Sequence, residues 1–195
     1  MIKRTGIASL ALLALLNLSL AETQSEPPVP SASIYNLKVP LEDQSGDVTG
    51  LDRYKGKPVL ITMFYANCPH VCPMIISTIR QLESRLSTEE LAELRVMTIS
   101  IDPERDVPEL LLETLRRHSV DASRWSMVRP EPADLRTIAG VFGIKYKQLP
   151  DGEFSHTTKI ILLDRDGIQI ASSDQIGRHS AEFLESLKSS LRSDK

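Results

Sequence analysis

Cys68 and Cys72 are the only cysteines in this 195-residue sequence. The apolar run 59–64 precedes them, and Ile75, Ile76, Ile79 and Leu82 follow at helical spacing, so we predict a buried strand, a short loop and a helix. Both sulfurs would lie at or just before the helix N-terminus, where free N–H groups and the helix dipole favour anions. We therefore predict two thiols of lowered pKa, able as thiolates to act as nucleophiles or to bind soft metals.

The three-residue spacer between the cysteines favours a metal site. A purely structural disulfide is a poor use of the pair, because closing so short a loop removes little entropy from the unfolded chain. Thioredoxin-type oxidoreductases use a two-residue spacer. A peroxidase would need a threonine where this chain has Tyr65. A wider spacer suits two thiolates that converge on one ion, while redox use of the pair stays open.

A third donor must come from one of four histidines. His118 and His179 flank predicted helices, where solvent exposure is the expectation. His70 lies between the cysteines, and the direction of its side chain is open. His156 lies where a loop enters a strand, the kind of position on which sites are built. Two thiolates and one imidazole suit Cu(I), whereas zinc would need a fourth ligand.

The remaining pattern predicts an α/β fold. Asp106 and Glu109 resemble a capping box that opens a second helix. Strands alternate with helices, and the chain ends in a hairpin followed by a helix. We predict a thioredoxin-like three-layer sandwich with an N-terminal β-hairpin extension. Further strands are expected around residues 94–101, 125–128, 158–163 and 168–171.

The N-terminus has the pattern of an export signal. Residues 1–21 combine a charged start, an apolar core and a small-x-small cleavage site, and residues 22–33 are polar and proline-rich. We predict a signal peptide over 1–21, a flexible tether over 22–33 and one domain over 34–195. The protein would be exported or periplasmic, with membrane attachment through an uncleaved signal left open. An oxidising compartment would permit a Cys68–Cys72 disulfide.

The charge balance argues against nucleic acid as a partner. The formal net charge is −3, and no stretch rich in lysine or arginine with interleaved aromatic residues occurs. The length of the predicted domain is sufficient for one hydrophobic core. We expect a monomer.

Three motifs resemble those of the Sco/SenC copper-delivery family. Residues 64–73 are similar to its metal loop and residues 100–108 to its second signature. His156-Thr157, followed by Leu162-Leu163-Asp164 and Gly167, resembles the third. The likeness covers about residues 37–187 and implies a thioredoxin-like fold. It also implies a site for copper, as Cu(I) or Cu(II), formed by Cys68, Cys72 and His156. One departure is His70, at a position where many members carry an acidic residue.

The resemblance implies a metallochaperone with a redox-active cysteine pair that delivers copper to the copper centre of a respiratory oxidase. Its expected partners are the copper-accepting subunit or another copper chaperone, and a thiol reductant protein. Asp102 would shape the neighbouring loop. The alternative is an enzyme, a thiol-disulfide oxidoreductase that reduces cysteines of the copper-accepting target. A copper or redox sensor is a third possibility.

Overall fold

The computed structural model describes residues 29–178 and 180–192. The predicted signal peptide and most of the predicted tether therefore lie outside the described residues, and these boundaries stay predictions. Ser33, the last residue of the predicted tether, is buried and donates its hydroxyl hydrogen to the carbonyl of Asp166. No helix in the described part of the chain is long and apolar enough to cross a membrane.

Nine strands and five α-helices make up the described chain. The strands are β1 (Leu41–Asp43), β2 (Val48–Thr49), β3 (Val59–Phe64), β4 (Arg95–Ser100), β5 (Trp125–Pro130), β6 (Tyr146–Gln148), β7 (Phe154–His156), β8 (Ile160–Leu163) and β9 (Gln169–Ser173). The helices are α1 (Val71–Glu83), α2 (Thr88–Glu93), α3 (Pro108–Arg117), α4 (Leu135–Val141) and α5 (Ala181–Arg192).

Seven of the strands form one mixed sheet in the order β2-β1-β5-β4-β3-β8-β9. Strands β3, β4 and β5 are parallel, and β1, β8 and β9 run antiparallel to their neighbours. Every residue of β3 is buried, as expected for a central strand covered on both faces. The predicted α/β class and thioredoxin-like architecture are confirmed. The predicted N-terminal hairpin, β1 with β2, continues the central sheet because β1 pairs with β5.

The predicted capping box at α3 is wrong. The helix starts one residue later than expected, with Val107 as N-cap and Pro108 in its first turn. The carboxylate of Asp106 points instead into the core, where it accepts hydrogen bonds from the Ala66 amide and the Ser100 hydroxyl. A buried carboxylate needs hydrogen-bond donors. The Asp106 carboxylate therefore bonds to Ala66 and Ser100 and does not cap α3.

Strands β6 and β7 form a separate two-stranded ribbon that pairs Tyr146 with His156 and Gln148 with Phe154. A two-stranded ribbon is marginally stable by itself. Its position over the main sheet must therefore come from side chains that dock it, and those side chains lie beside the cysteines.

Candidate metal centre

The cysteine loop connects the end of β3 to the start of α1. Cys68 lies in the loop and is partly exposed, whereas Cys72 is the second residue of α1 and only 3% exposed. Both are free thiols. The N-cap residue His70 makes no capping hydrogen bond through its side chain. The Cys72 amide donates to the Cys68 sulfur across 3.3 Å, so this sulfur accepts one of the otherwise unpaired N–H groups of the helix end.

The pKa values of the two thiols are shifted in opposite directions, which corrects the expectation that both are lowered. A hydrogen bond from the Cys72 thiol is the largest of the effects that lower the pKa of Cys68 to about 5, helped by the amides of Cys72 and His70. The pKa of Cys72 is raised because its thiol donates to Cys68 and because it is buried. Only one sulfur of the reduced pair is therefore a thiolate at neutral pH.

This asymmetry predicts the pH dependence of alkylation by iodoacetamide. Because the pKa of Cys68 is lowered, its thiolate is present above pH 5 and is lost below it. The alkylation rate of Cys68 should rise about tenfold per pH unit up to about pH 5 and then level off, while Cys72 stays unmodified. Peptide mass spectrometry of samples quenched between pH 4 and 9 measures both rates.

The same reaction in denaturant provides the control. In the unfolded chain both cysteines should react with equal pH profiles that level off near pH 8.5. A folded-state profile of Cys68 that also levels off near pH 8.5 would contradict the hydrogen bonding described for its sulfur.

Asp106 fixes the backbone of the cysteine loop from within the core. Its side chain is completely buried, and its two oxygens lie 3.2 and 3.1 Å from the amide nitrogen of Ala66. The Ser100 hydroxyl donates to it across 2.6 Å. Burial raises the pKa of Asp106 to about 6, and the two donors oppose that rise. The second motif of the sequence thus fixes the backbone immediately before Cys68.

His156 faces the cysteine loop from the β6–β7 ribbon. A cleft of about 360 Å³ lies beside the hairpin that β6 and β7 form, and we call it the hairpin-side cleft. It is lined by Tyr65, Cys68, His70, Glu153 and His156, among others. The Nδ1 atom of His156 lies 3.1 Å from the Thr157 carbonyl. Because a carbonyl can only accept, Nδ1 carries the proton and the lone pair is on Nε2, available to a ligand.

Tyr65 and Arg105 dock the ribbon. The Tyr65 hydroxyl donates to Glu153 across 2.7 Å, and its ring centroid lies 5.4 Å from that of Phe154 and 6.3 Å from that of His156. Arg105 donates to the Gly152 carbonyl at 2.6 Å and places its guanidinium 5.8 Å from the Phe154 ring centroid. These contacts fix the ribbon, and His156 with it, against the cysteine loop.

Sequence reasoning missed Tyr65, Glu153 and Arg105 as positioning residues. Tyr65 was singled out only as evidence against a peroxidase. Asp102, expected to shape the neighbouring loop, pairs with Arg105, and Arg105 in turn reaches the ribbon. The only available signal was the nearness of Tyr65 and Glu153 to the candidate donors along the chain.

Cys68, Cys72 and His156 lie near one another but do not form a complete metal site in this structure. Cys68 and His156 share a cleft, and the Cys72 amide donates a hydrogen bond to the Cys68 sulfur. Within residues 29–178 and 180–192, no three His, Cys, Asp or Glu side chains are grouped tightly enough to hold a metal ion. Two sulfurs and one imidazole with a free Nε2 are a soft donor set that suits copper. Binding through all three requires these side chains to come closer together.

The other histidines differ in their relation to the site. His70 is exposed and lines the hairpin-side cleft. His118, expected to be solvent exposed, is half-buried and borders a second cleft beside the cysteines. His179 lies outside the described residues.

Comparison with known proteins supports the interpretation of the three motifs. The family model SCO1/SenC matches residues 32–192. The SCO2-like protein of Rickettsia felis is 32% identical over 174 residues, covering 83% of this chain and 80% of the relative. The structure of Bradyrhizobium japonicum ScoI with copper bound is 28% identical, with a TM-score of 0.63 over 78% of this chain and 96% of that one.

A third relative supports the fold. BsSco, described with a disulfide switch and as a member of the Sco family of cytochrome c oxidase assembly proteins, has a TM-score of 0.65. It is 20% identical and covers 80% of this chain and 92% of its own. The family model over residues 32–192 and the 32% identical Rickettsia felis relative confirm the expected family.

Proposed function

This chain belongs to the SCO1/SenC family, and from that premise we propose that it binds copper as cargo and delivers it to the copper centre of a respiratory oxidase. The observation that carries the proposal is that one partly exposed thiolate and one imidazole share the hairpin-side cleft, with a buried thiol hydrogen-bonded to that thiolate. Copper-bound ScoI of Bradyrhizobium japonicum and the naming of BsSco among oxidase assembly proteins support the choice of metal and recipient.

The three candidate ligands have different roles in copper binding. Cys68 is already charged at neutral pH and partly exposed, so it is the sulfur that meets the metal first. Cys72 must give up its proton before it can ligate. His156 offers its Nε2 atom and completes a three-donor set once the three side chains come closer together. A bound Cu(I) would then carry two thiolates and an imidazole.

We propose further that the cysteine pair gates this binding. A Cys68–Cys72 disulfide removes both thiolates, so oxidation would block copper and reduction would restore it. The disulfide switch described for BsSco supports this part. An exported or periplasmic location, reached through the signal peptide over residues 1–21, would supply both copper and an oxidising environment.

A second candidate function is thiol-disulfide exchange on the copper-accepting protein. The asymmetry of the pair favours it, because an exposed thiol of low pKa can attack a disulfide while its buried neighbour waits to resolve the mixed disulfide. The two functions use the same sulfurs but differ in their need for His156.

An anaerobic copper titration of the mature protein tests the proposal. The reduced protein should bind one Cu(I) per chain, measured by competition with a chromogenic Cu(I) chelator. The oxidised protein should show the loss of two hydrogens by mass spectrometry and should bind none, because its sulfurs are no longer thiolates. Equal copper binding by the two forms would exclude the gate, and no binding by either would exclude the carrier function.

A further inference from the structure

The cysteine loop has a second cleft on the side away from His156. We call it the α3-side cleft; it measures about 280 Å³ and is lined by Cys68, Cys72, Ile76, Thr114, Arg117 and His118, together with residues 64–67, 69 and 73. Cys68 borders both clefts, whereas Cys72 lines this one and not the hairpin-side cleft. Cys72 is therefore reached from the α3-side cleft and His156 from the hairpin-side cleft, while Cys68 is accessible from both.

The rim of the α3-side cleft is cationic. Arg117 lies at the C-terminal end of α3, and Arg80 of α1 donates to the His118 carbonyl across 3.2 Å. Burial, followed by the charges of Arg117 and Arg80, lowers the pKa of His118. Arg117 also pairs with exposed Glu113, which offsets part of its charge. The ionisable side chains of the hairpin-side cleft are instead Glu153, His70 and His156, together with Tyr65 and Cys68, which border both clefts.

We propose that the α3-side cleft is the docking site for the reductant of the Cys68–Cys72 disulfide, and that this reductant is a thiol with negative charge beside its sulfur. The inference rests on the redox gate proposed above. The electrostatic reason is that copper, a cation, is best received on the side of Glu153, where the nearby Arg105 is paired with Asp102, while a thiolate and its neighbouring carboxylates are attracted to Arg80 and Arg117.

The reaction balances with two equivalents of thiol. The first thiolate attacks Cys68, the more exposed sulfur, and the Cys68–Cys72 bond breaks with its electron pair going to Cys72, which takes up a proton. A second thiolate attacks the reductant sulfur of the mixed disulfide and releases the Cys68 thiolate. Two thiols are oxidised to one disulfide, and the protein disulfide gains two electrons.

The test measures how fast the oxidised protein is reduced by three small thiols of different charge. These are 2-mercaptoethanesulfonate (anionic), 2-mercaptoethanol (neutral) and cysteamine (cationic). Each rate is divided by the rate for an oxidised peptide of residues 64–76, which cancels the intrinsic reactivity of the thiol. At low ionic strength, where charges act over about 30 Å, the normalised rate should be highest for the anionic thiol. Physiological salt should reduce this preference.

Charge-reversal variants then test whether the preference for the anionic thiol comes from the α3-side cleft. The double variant Arg80→Glu, Arg117→Glu should lower the ratio of anionic to neutral rates by about three- to tenfold, because two attractive charges become repulsive. The matched control is Arg85→Glu, Arg136→Glu, which makes the same net change in the turn that follows α1 and on α4. The control should keep the parent ratio, and neither double variant should change Cu(I) affinity.

The outcomes separate this inference from the proposed function. If the disulfide forms but both double variants keep the parent rate ratio, the assignment of the α3-side cleft is overturned while the copper site stands. If both double variants lower the ratio of anionic to neutral rates equally, the net charge of the protein is responsible for the preference. That result also overturns the assignment of the α3-side cleft. If no Cys68–Cys72 disulfide forms on oxidation, the gate and this inference fail together.

Discussion

A Cys72→Ser variant is expected to lose high-affinity Cu(I) binding, and Cys68→Ser equally so. A serine hydroxyl stays protonated at neutral pH and is a poor ligand for a soft ion, so each variant leaves one thiolate and one imidazole. The expected loss exceeds about 1000-fold, since removal of an outer-shell partner alone costs roughly 10–100-fold. Competition against a Cu(I) chelator under anaerobic conditions measures the affinity of each variant.

The Cys72→Ser variant also separates loss of a ligand from loss of structure. The backbone amide at position 72 still donates to the Cys68 sulfur, and a serine hydroxyl can replace the thiol as donor. Cys68 should therefore keep its fast alkylation at pH 6 although copper binding is gone. Asn67→Ala, in the exposed part of the same loop, serves as the control and should bind copper like the parent. Parent-like affinity in either serine variant would overturn the two-sulfur site.

A His156→Ala variant is expected to weaken Cu(I) binding by roughly 100-fold or more while the thiols stay competent in disulfide exchange. The ion would keep both sulfurs but lose the Nε2 donor that the hydrogen bond from Nδ1 to the Thr157 carbonyl leaves free. The exchange reaction uses only Cys68 and Cys72, so its rate with a small thiol should stay within about twofold of the parent. Both assays are run on the same preparations.

Tyr65→Phe refines the same experiment. It keeps the ring against Phe154 and His156 but removes the hydroxyl that donates to Glu153, so the ribbon loses one of its attachments to the loop. Copper affinity should fall by up to about tenfold, an outer-shell effect. Adding Tyr65→Phe to His156→Ala should then cost little more, because the tyrosine positions the histidine. Gln148→Ala, exposed on the same ribbon, should have no effect.

His70 supplies the discriminating comparison. Its side chain is exposed at the mouth of the hairpin-side cleft, so His70→Ala should affect copper less than His156→Ala does. If His70→Ala alone lost copper, the third ligand would belong to the cysteine loop. If His156→Ala lost exchange activity but kept copper, the oxidoreductase function would take precedence over the carrier function.

Local patterns were sufficient for most of the fold. The apolar run of β3 and the helical spacing in α1 depend on short-range periodicity and burial, and the structure has both within a residue or two of the predicted bounds. The candidate donors could also be named from sequence, because sulfur and imidazole chemistry belongs to the residue types. The combination of three motifs in one order identified the family, as the match over residues 32–192 confirms.

Tertiary structure decided how those donors differ from one another. The sequence suggested two equivalent thiolates, but burial of Cys72 and its hydrogen bond to Cys68 give the two thiols opposite pKa shifts. Asp106 was expected to cap a helix, and it supports the cysteine loop because its partners, Ala66 and Ser100, come from other parts of the chain. Such pairings depend on the packing of distant segments, which no local pattern encodes.

The position of His156 is the clearest case. Its ribbon gains its place from Tyr65, at the end of β3, and Arg105, before α3, two residues whose side chains meet the ribbon only after the sheet has formed. The same folding leaves a cationic cleft on the opposite side of Cys68, built from the ends of α1 and α3. Residue types therefore determined the chemistry available to this protein. The long-range contacts decided which sulfur is charged and from which side each ligand can reach it.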